Sequence, residues 1–180
     1  MSFLDWPVER TLTSLRTSRR RLVLLNLLLD RFTDVFPEIE YEVLWDSPTI
    51  NAQAWRLGSD RYVRVYGGLA RHPALSKFGL SLALAHETGH HLGGAPYDSA
   101  LPHISNQTQA DYWAARFAMP RIWGSHARGA TLRGATELLK LQRSLSYDLK
   151  ASELDVAPEE RYRVMIAGAF GVALAMEHVI

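Results

Sequence analysis

The chain contains no cysteine among its 180 residues. This absence excludes disulfide scaffolds, thiol catalysis and every zinc or iron–sulfur site that depends on thiolate ligands. Any metal ion must therefore be bound by histidine, carboxylate or amide side chains. The chain has seven histidines. Five of them lie between residues 72 and 103, so the search for a metal site begins in that stretch.

The chain also lacks a charge excess of either sign and a long apolar run. Its 20 basic and 19 acidic side chains give a net charge of +1, which provides no electrostatic reason to expect a nucleic-acid partner. The longest apolar run, residues 164–176, has thirteen residues and includes two glycines. A membrane-spanning helix needs roughly 20 residues. We therefore expect neither a nucleic-acid partner nor a membrane span, and the sequence leaves the oligomeric state open.

An arginine-rich segment at residues 18–24 has two interpretations. The arginines followed by apolar residues partly resemble a twin-arginine export signal. Against this, no small-residue cleavage site follows, and Leu22, Leu25, Leu29 and Phe32 recur at helical spacing. The amphipathic helix is the favoured interpretation and predicts a cytoplasmic protein, with export as the alternative.

The hydrophobic pattern predicts one α+β domain that is mostly helical and contains one small sheet or hairpin. The predicted elements are an N-terminal helix at 8–34, a sheet within 40–66, two helices within 74–119, and C-terminal helices within 131–180. Gly58-Ser59-Asp60 predicts a hairpin turn. Ser105 or Asn106 can cap the second of the central helices, which Pro120 should end. The last two helices are expected at 131–150 and 158–177.

The most informative string is His86-Glu87-Thr88-Gly89-His90. On a helix, residues four apart differ by only about 40° in azimuth, so both imidazoles can bind one metal ion. This H-E-x-x-H arrangement is typical of zinc peptidases, in which the glutamate acts as general base toward a zinc-bound water. The preceding residues are largely apolar, so the helix should be buried. Two histidines and a glutamate there are costly unless something binds them, which favours a metal site over two chance surface histidines.

The sequence leaves the third ligand open. His91 points about 100° away from the motif, so it is a poor ligand. A metzincin places its third ligand six residues after the second histidine, and that position holds Pro96. The downstream helix carries Gln107, Asp111 and Ala114, and a strand pattern at 51–54 reads Asn-Ala-Gln-Ala.

These segments together resemble gluzincin zinc metallopeptidases of the HtpX and CAAX-prenyl-protease type, over roughly residues 40–165. The resemblance implies a zincin-like core in which His86 and His90 bind Zn²⁺. It also implies that Asp111 hydrogen-bonds a ligand imidazole. The family's ligand glutamate corresponds to Gln107. The membrane helices of well-known members have no counterpart here.

The amide at Gln107 leaves three possibilities open. Gln107 binds zinc through its oxygen, Asp111 takes the metal instead, or the site binds zinc poorly in a degenerate peptidase. His103 is a further candidate ligand from the preceding loop. A glutamine lacks the charge of a carboxylate, so the metal should be bound more weakly.

Two further expectations concern the substrate. The strand at 61–66 should border the cleft and pair with an extended peptide. An oxyanion needs a donor beside the zinc, and the family position favours Arg161 over Tyr97, Tyr112 or His126. The function expected is a zinc-dependent endopeptidase that acts on a peptide or protein by Glu87-assisted attack of water. The alternative is a weakened or inactive peptidase fold that serves as a binding or regulatory module.

Overall fold

A computed structural model describes residues 8–9, 19–145 and 156–173. The fold is α+β, as predicted, with a small three-stranded sheet among many helices. The strands are β1 (Val8–Glu9), β2 (Glu40–Leu44), β3 (Thr49–Ile50), β4 (Ala52–Leu57) and β5 (Asp60–Tyr66). The α-helices are α1 (Arg19–Val35), α2 (Gly67–Arg71), α3 (Lys77–Leu92), α4 (Gln107–Trp113), α5 (Met119–Trp123), α6 (Ala127–Leu145) and α7 (Pro158–Phe170).

The sheet has the strand order β2-β5-β4. The predicted hairpin is confirmed, because β4 and β5 pair antiparallel with Leu57 opposite Asp60. Gly58 adopts a φ of +62° at the turn, which is a conformation that favours glycine. The expectation that residues 61–66 border the cleft is wrong, since β2 adds in parallel to the other side of β5. Among the described strands, β5 therefore has the central place in this sheet.

One face of the sheet packs on α3. The small side chains of Ala52 and Ala54 alternate with Gln53 and Trp55 along β4, and both alanines are fully buried opposite Val65 and Val63. Because alternate side chains in a strand face opposite sides of the sheet, these four residues form one apolar surface. That surface supports the helix that carries the histidine motif.

The predicted helix at 8–34 begins too early. Val8 and Glu9 pair antiparallel with Ile50 and Thr49 as strand β1, and the described part of the helix begins at Arg19. The amphipathic pattern of α1 itself is confirmed, since Leu25, Leu28, Leu29 and Phe32 are its buried residues. Periodicity predicts the helix but cannot find a pairing partner 40 residues away, so the strand was missed.

Three other boundaries differ from expectation. The helix at Gln107 does not stop at Pro120, because a π-type turn at Ala114–Ala118 lets the proline enter near the start of α5. Proline is tolerated at the start of a helix, because an N–H at that position has no partner within the helix. Helix α2 follows directly after β5, whereas the sequence predicts only the end of the strand at Gly67-Gly68. Helix α7 ends at Phe170 rather than near 177, because Gly171 takes a left-handed conformation with φ of +69°. The last residues of the two predicted C-terminal helices, 146–150 and 174–177, lie outside the described residues.

Helix α3 lies between the sheet, α4 and α6 and is buried along most of its length. Ser76 caps its start by accepting a hydrogen bond from the Phe78 N–H. Glu137 on α6 adds a second cap, because its Oε2 accepts from the Ser76 and Gly79 N–H groups at 2.8 and 3.1 Å. The caps fix where α3 begins and hence which of its faces meets α4. Among the described helices, none combines the length and apolar character that crossing a membrane requires.

Candidate metal centre

Helix α3 brings His86, Glu87 and His90 together at its buried end. Their potential ligand atoms all lie within 4.8 Å of one another. All three residues have 0% of their surface exposed. The two imidazole rings are 4.5 Å apart between centroids and nearly perpendicular, at 80°. The spacing of the motif therefore brings the three side chains together, as predicted.

His90 has a defined tautomer. Its Nδ1 lies 2.7 Å from the carbonyl oxygen of Ser105, which can only accept a hydrogen bond, so Nδ1 carries the proton. The neutral ring then has a lone pair on Nε2. That atom is buried and has no hydrogen-bond partner among the described residues. A buried nitrogen lone pair in this state is a ready metal ligand.

His86 is held in the same way by a carboxylate. Its Nδ1 lies 2.7 Å from Oδ1 of Asp111, and both side chains are fully buried. This contact makes Nδ1 the donor and leaves the ring lone pair on Nε2. The Gln107 side chain also lies close enough to influence the pKa of the His86 imidazole. Gln107 and Asp111 of α4 thus both lie beside His86.

The close approach of α4 to α3 depends on Gly89. A Cβ at this position would lie 3.0 Å from the Cα of Ala110 and only 2.7 Å from its carbonyl oxygen, and real Cβ atoms essentially never show the shorter distance. Asn106 caps α4 by accepting from the Gln109 N–H at 2.8 Å. Gly89 and the cap together bring the first turn of α4, with Gln107, against the histidines.

Arg161 on α7 completes the polar cluster. Its Nε and Nη2 donate to the two carboxylate oxygens of Asp111 at 2.7 and 2.9 Å, a paired geometry typical of strong arginine–carboxylate contacts. Its Nη2 also lies 3.2 Å from each ring nitrogen of His86. Arg161 is only 2% exposed. Its observed partners are therefore Asp111 and His86.

The charges of the cluster follow from these contacts. Burial raises the pKa of Asp111, but Arg161 and His86 outweigh burial and hold it below its usual value. Burial lowers the pKa of His86, and that of His90 falls well below the ordinary range because burial is reinforced by His86. Both imidazoles are thus neutral, which is the form that binds metals. The Asp111–Arg161 pair contributes no net charge beside them.

The donor set fits a divalent metal ion. His86 and His90 present two Nε2 atoms, each held by a hydrogen bond at Nδ1, and Gln107 can supply an amide oxygen. Both carboxylate oxygens of Asp111 are already engaged by His86 and Arg161, which disfavours Asp111 as a ligand. Nitrogen and oxygen donors of this kind are those that zinc accepts.

The remaining histidines of the stretch lie elsewhere. His91 is 6% exposed, and its Nε2 donates to the Tyr62 carbonyl at 3.0 Å. Burial lowers its pKa to about 4. His103 is exposed and lines a surface pocket of about 260 Å³ next to Trp55. Neither residue belongs to the His86–Glu87–His90 group.

Two contacts that position the site could not be predicted from the sequence. The Ser105 carbonyl orients His90, and a backbone acceptor can come from any residue. Glu137, which fixes the start of α3, lies 58 residues or more from the groups that it accepts from.

Comparison with family models, with curated proteins and with solved structures finds no match to this chain.

Proposed function

We propose that this chain is a zinc-dependent peptidase with a zincin-like core. The observation that carries the proposal is the matched state of His86 and His90, whose Nδ1 atoms are both engaged so that both Nε2 atoms can bind metal. The third ligand in this proposal is the amide oxygen of Gln107. A bound zinc ion supplies a Lewis acid for a peptide carbonyl and lowers the pKa of water.

Glu87 is proposed as the general base. It adjoins His86 on α3 and belongs to the same buried group of possible ligand atoms. Its carboxylate takes one proton from the attacking water as the oxygen adds to the peptide carbonyl carbon. It then gives that proton to the leaving amine when the C–N bond breaks. The products are a carboxylic acid and an amine.

Arg161 remains a predicted oxyanion donor. Its observed contacts support a positioning role toward Asp111 and His86.

The test compares Glu87→Gln with the native chain and with Glu38→Gln, a matched change at an exposed residue. Zinc content and hydrolysis of a peptide library are measured together. We expect Glu87→Gln to keep its zinc and to lose at least a hundredfold in rate, because general-base catalysis contributes about 10²–10⁴-fold. Equal hydrolysis by the Glu87→Gln and native chains would disprove this mechanism.

The neutral amide at Gln107 favours a second candidate function. In this alternative the chain keeps the fold but serves as a binding or regulatory module. A native chain that neither binds zinc tightly nor cleaves peptides, and that gains both properties on Gln107→Glu, would support the alternative. A cytoplasmic location stays a prediction of the sequence.

A further inference from the structure

Two arginines lie opposite each other near the turn of the β4–β5 hairpin. Arg56 on β4 is the register partner of Arg61 on β5. Like charges that lie directly opposite in an antiparallel pair repel each other. Neither guanidinium forms an ion pair with a carboxylate among the residues that the structure describes. The pair therefore concentrates positive charge at this end of the sheet.

The end of helix α3 offsets only part of this charge. The Nη2 of Arg56 donates to the His91 carbonyl in the last turn of α3, with 3.5 Å between nitrogen and oxygen. A helix C-terminus carries about half a negative charge, whereas the two arginines carry one full positive charge each. The Nε of Arg56 is buried and has no hydrogen-bond partner among the described residues. Arg56 is therefore able to bind an anion.

A largely apolar pocket of about 260 Å³ lies beside Arg56. Pockets for drug-sized ligands have about 300–1,000 Å³, so this one suits a single side chain. Its loop-side wall is formed by Leu101, Pro102 and Ile104, and none of its described lining residues is acidic. The carboxylate of Asp98 is used within the loop itself, because its Oδ1 accepts from the Leu101 N–H at 2.9 Å. The pocket thus combines apolar walls with a cation.

Both sides of this pocket are attached to the end of α3 that carries His90. On the loop side, Ile104 precedes Ser105, whose N–H donates to the His90 carbonyl at 2.9 Å. The Ser105 carbonyl in turn accepts from the His90 Nδ1 at 2.7 Å. On the strand side, Arg56 contacts the His91 carbonyl. A peptide that is anchored in the pocket therefore lies next to the candidate metal centre.

We propose that this pocket, which we name the Arg56 pocket, binds the C-terminal residue of a peptide. The apolar side chain of that residue packs against Leu101, Pro102 and Ile104, and its free carboxylate pairs with the Arg56 guanidinium. A C-terminal residue carries both groups on one Cα, whereas the backbone of an internal residue is neutral. The arginine fork matches a carboxylate, and capture of a terminal carboxylate is a known mode of peptide recognition.

Binding in the Arg56 pocket does not require catalysis. The inference that substrates of this chain end in an apolar residue rests on the proposed function. Binding and cleavage are therefore measured separately, so that either can fail without the other.

Binding is measured by fluorescence anisotropy with tetrapeptides that carry fluorescein at the N-terminus. The sequences are Ala-Ala-Ala-Leu and Ala-Ala-Ala-Ala, each as the free acid and as the C-terminal amide. The full-length chain carries Glu87→Gln, so that the peptides stay intact during the titration. We expect the acid that ends in leucine to bind at least tenfold tighter than its amide, and at least fivefold tighter than the acid that ends in alanine.

Two further variants of this parent chain separate the two halves of the pocket. Arg56→Gln should abolish the preference for the acid, whereas Arg116→Gln, a change at an exposed arginine that stacks on Phe117, should retain it. Leu101→Ser should lower the preference for leucine at least threefold and keep the preference for the acid. Leu27→Ser, at a residue of α1 that is 63% exposed, is its control. A misfolded chain would lose both preferences together.

Three binding results would overturn the proposal. The first is equal affinity for the acid and the amide in the parent chain, and the second is a preference for the acid that survives Arg56→Gln. The third comes from isocaproate, which has a similar apolar group and a carboxylate but no peptide. If isocaproate displaces the labelled peptide as well as unlabelled Ala-Ala-Ala-Leu does, the pocket binds small carboxylic acids rather than a peptide C-terminus.

Cleavage is measured with the native chain and the same peptides. Hydrolysis of the acid at least tenfold faster than the amide would support the substrate class. Equal hydrolysis of both forms would keep the proposed peptidase and overturn the preference for a free C-terminus. Acid-selective binding without any hydrolysis would contradict the proposed function and support the Arg56 pocket alone.

Discussion

Gly89 of α3 and Ala110 of α4 are in such close contact that a side chain on the glycine would overlap the alanine backbone, with 2.7 Å between its Cβ and the Ala110 oxygen. The two residues therefore set the distance between the helix that carries His86 and His90 and the helix that carries Gln107. A glycine in a helix interior costs about 1 kcal/mol relative to alanine. The contact explains why this position accepts that cost.

Gly89→Ala should separate α3 from α4. We expect it to destabilise the chain by about 1–3 kcal/mol, since overlap in a packed core outweighs the gain in helix propensity. Zinc affinity should fall as well. Gly129→Ala is the matched control, because Gly129 lies in α6 with nothing within 4 Å of its Cβ position. Urea unfolding of both variants checks this, and a Gly89→Ala chain as stable as Gly129→Ala would contradict it.

Gln107→Glu should raise zinc affinity at least tenfold. The ligand set proposed for the native site is neutral, and a carboxylate would add charge stabilisation at the metal. Competition with a zinc chelator measures the affinity. Thr108→Glu provides the control, since it adds the same charge in the first turn of α4 at a neighbouring position. Equal gains in both variants would indicate a general charge effect rather than coordination by residue 107.

The buried pair Asp111–Arg161 should behave as one unit. Asp111→Asn leaves a buried guanidinium without its charge partner, so we expect a loss of about 3–5 kcal/mol in unfolding free energy. Arg161→Met should cost a similar amount. The double variant Asp111→Asn/Arg161→Met should be less destabilised than the two single changes predict together.

The exposed pair Arg143–Glu159, 2.8 Å apart, is the control for this cycle. Its removal should cost only about 0–1 kcal/mol because water screens exposed charges. Chemical denaturation measures the unfolding free energies. If the loss in the double variant equals the sum of the losses in the two single variants, the interaction between Asp111 and Arg161 is contradicted. Zinc affinity of Asp111→Asn should fall about 10–100-fold, because the charged acceptor of the His86 Nδ1 proton becomes a neutral amide.

Glu137→Gln should weaken the start of α3. The carboxylate accepts from the Ser76 N–H, the Ser76 hydroxyl and the Gly79 N–H, and hydrogen bonds to a charged group contribute about 1.5–3 kcal/mol. We expect a loss near the lower end, because the amide retains one acceptor. Arg133→Gln removes only the exposed partner of Glu137 and should change the melting temperature little. Equal melting temperatures for the two variants would rule out the capping role.

The metal-site motif could be predicted from the sequence because it depends on local geometry alone. His86, Glu87 and His90 lie within one helix, so their spacing fixes their relative positions once the helix forms. The hairpin at Gly58 was predictable for the same reason. Three features could not be predicted: strand β1, the central place of β5, and the continuation of the helical chain past Pro120. Each depends on packing between distant segments.

The sequence by itself determined that a metal here must bind histidine and oxygen, that α3 presents two imidazoles on one face, and that an amide stands at residue 107. Only the tertiary structure decided which atoms hold those imidazoles. The Ser105 carbonyl, the Asp111 carboxylate and Arg161 come from three separate segments, and their positions depend on the Gly89–Ala110 contact and on α7 packing. Such contacts have no sequence period, since they arise from the way whole helices fill space together.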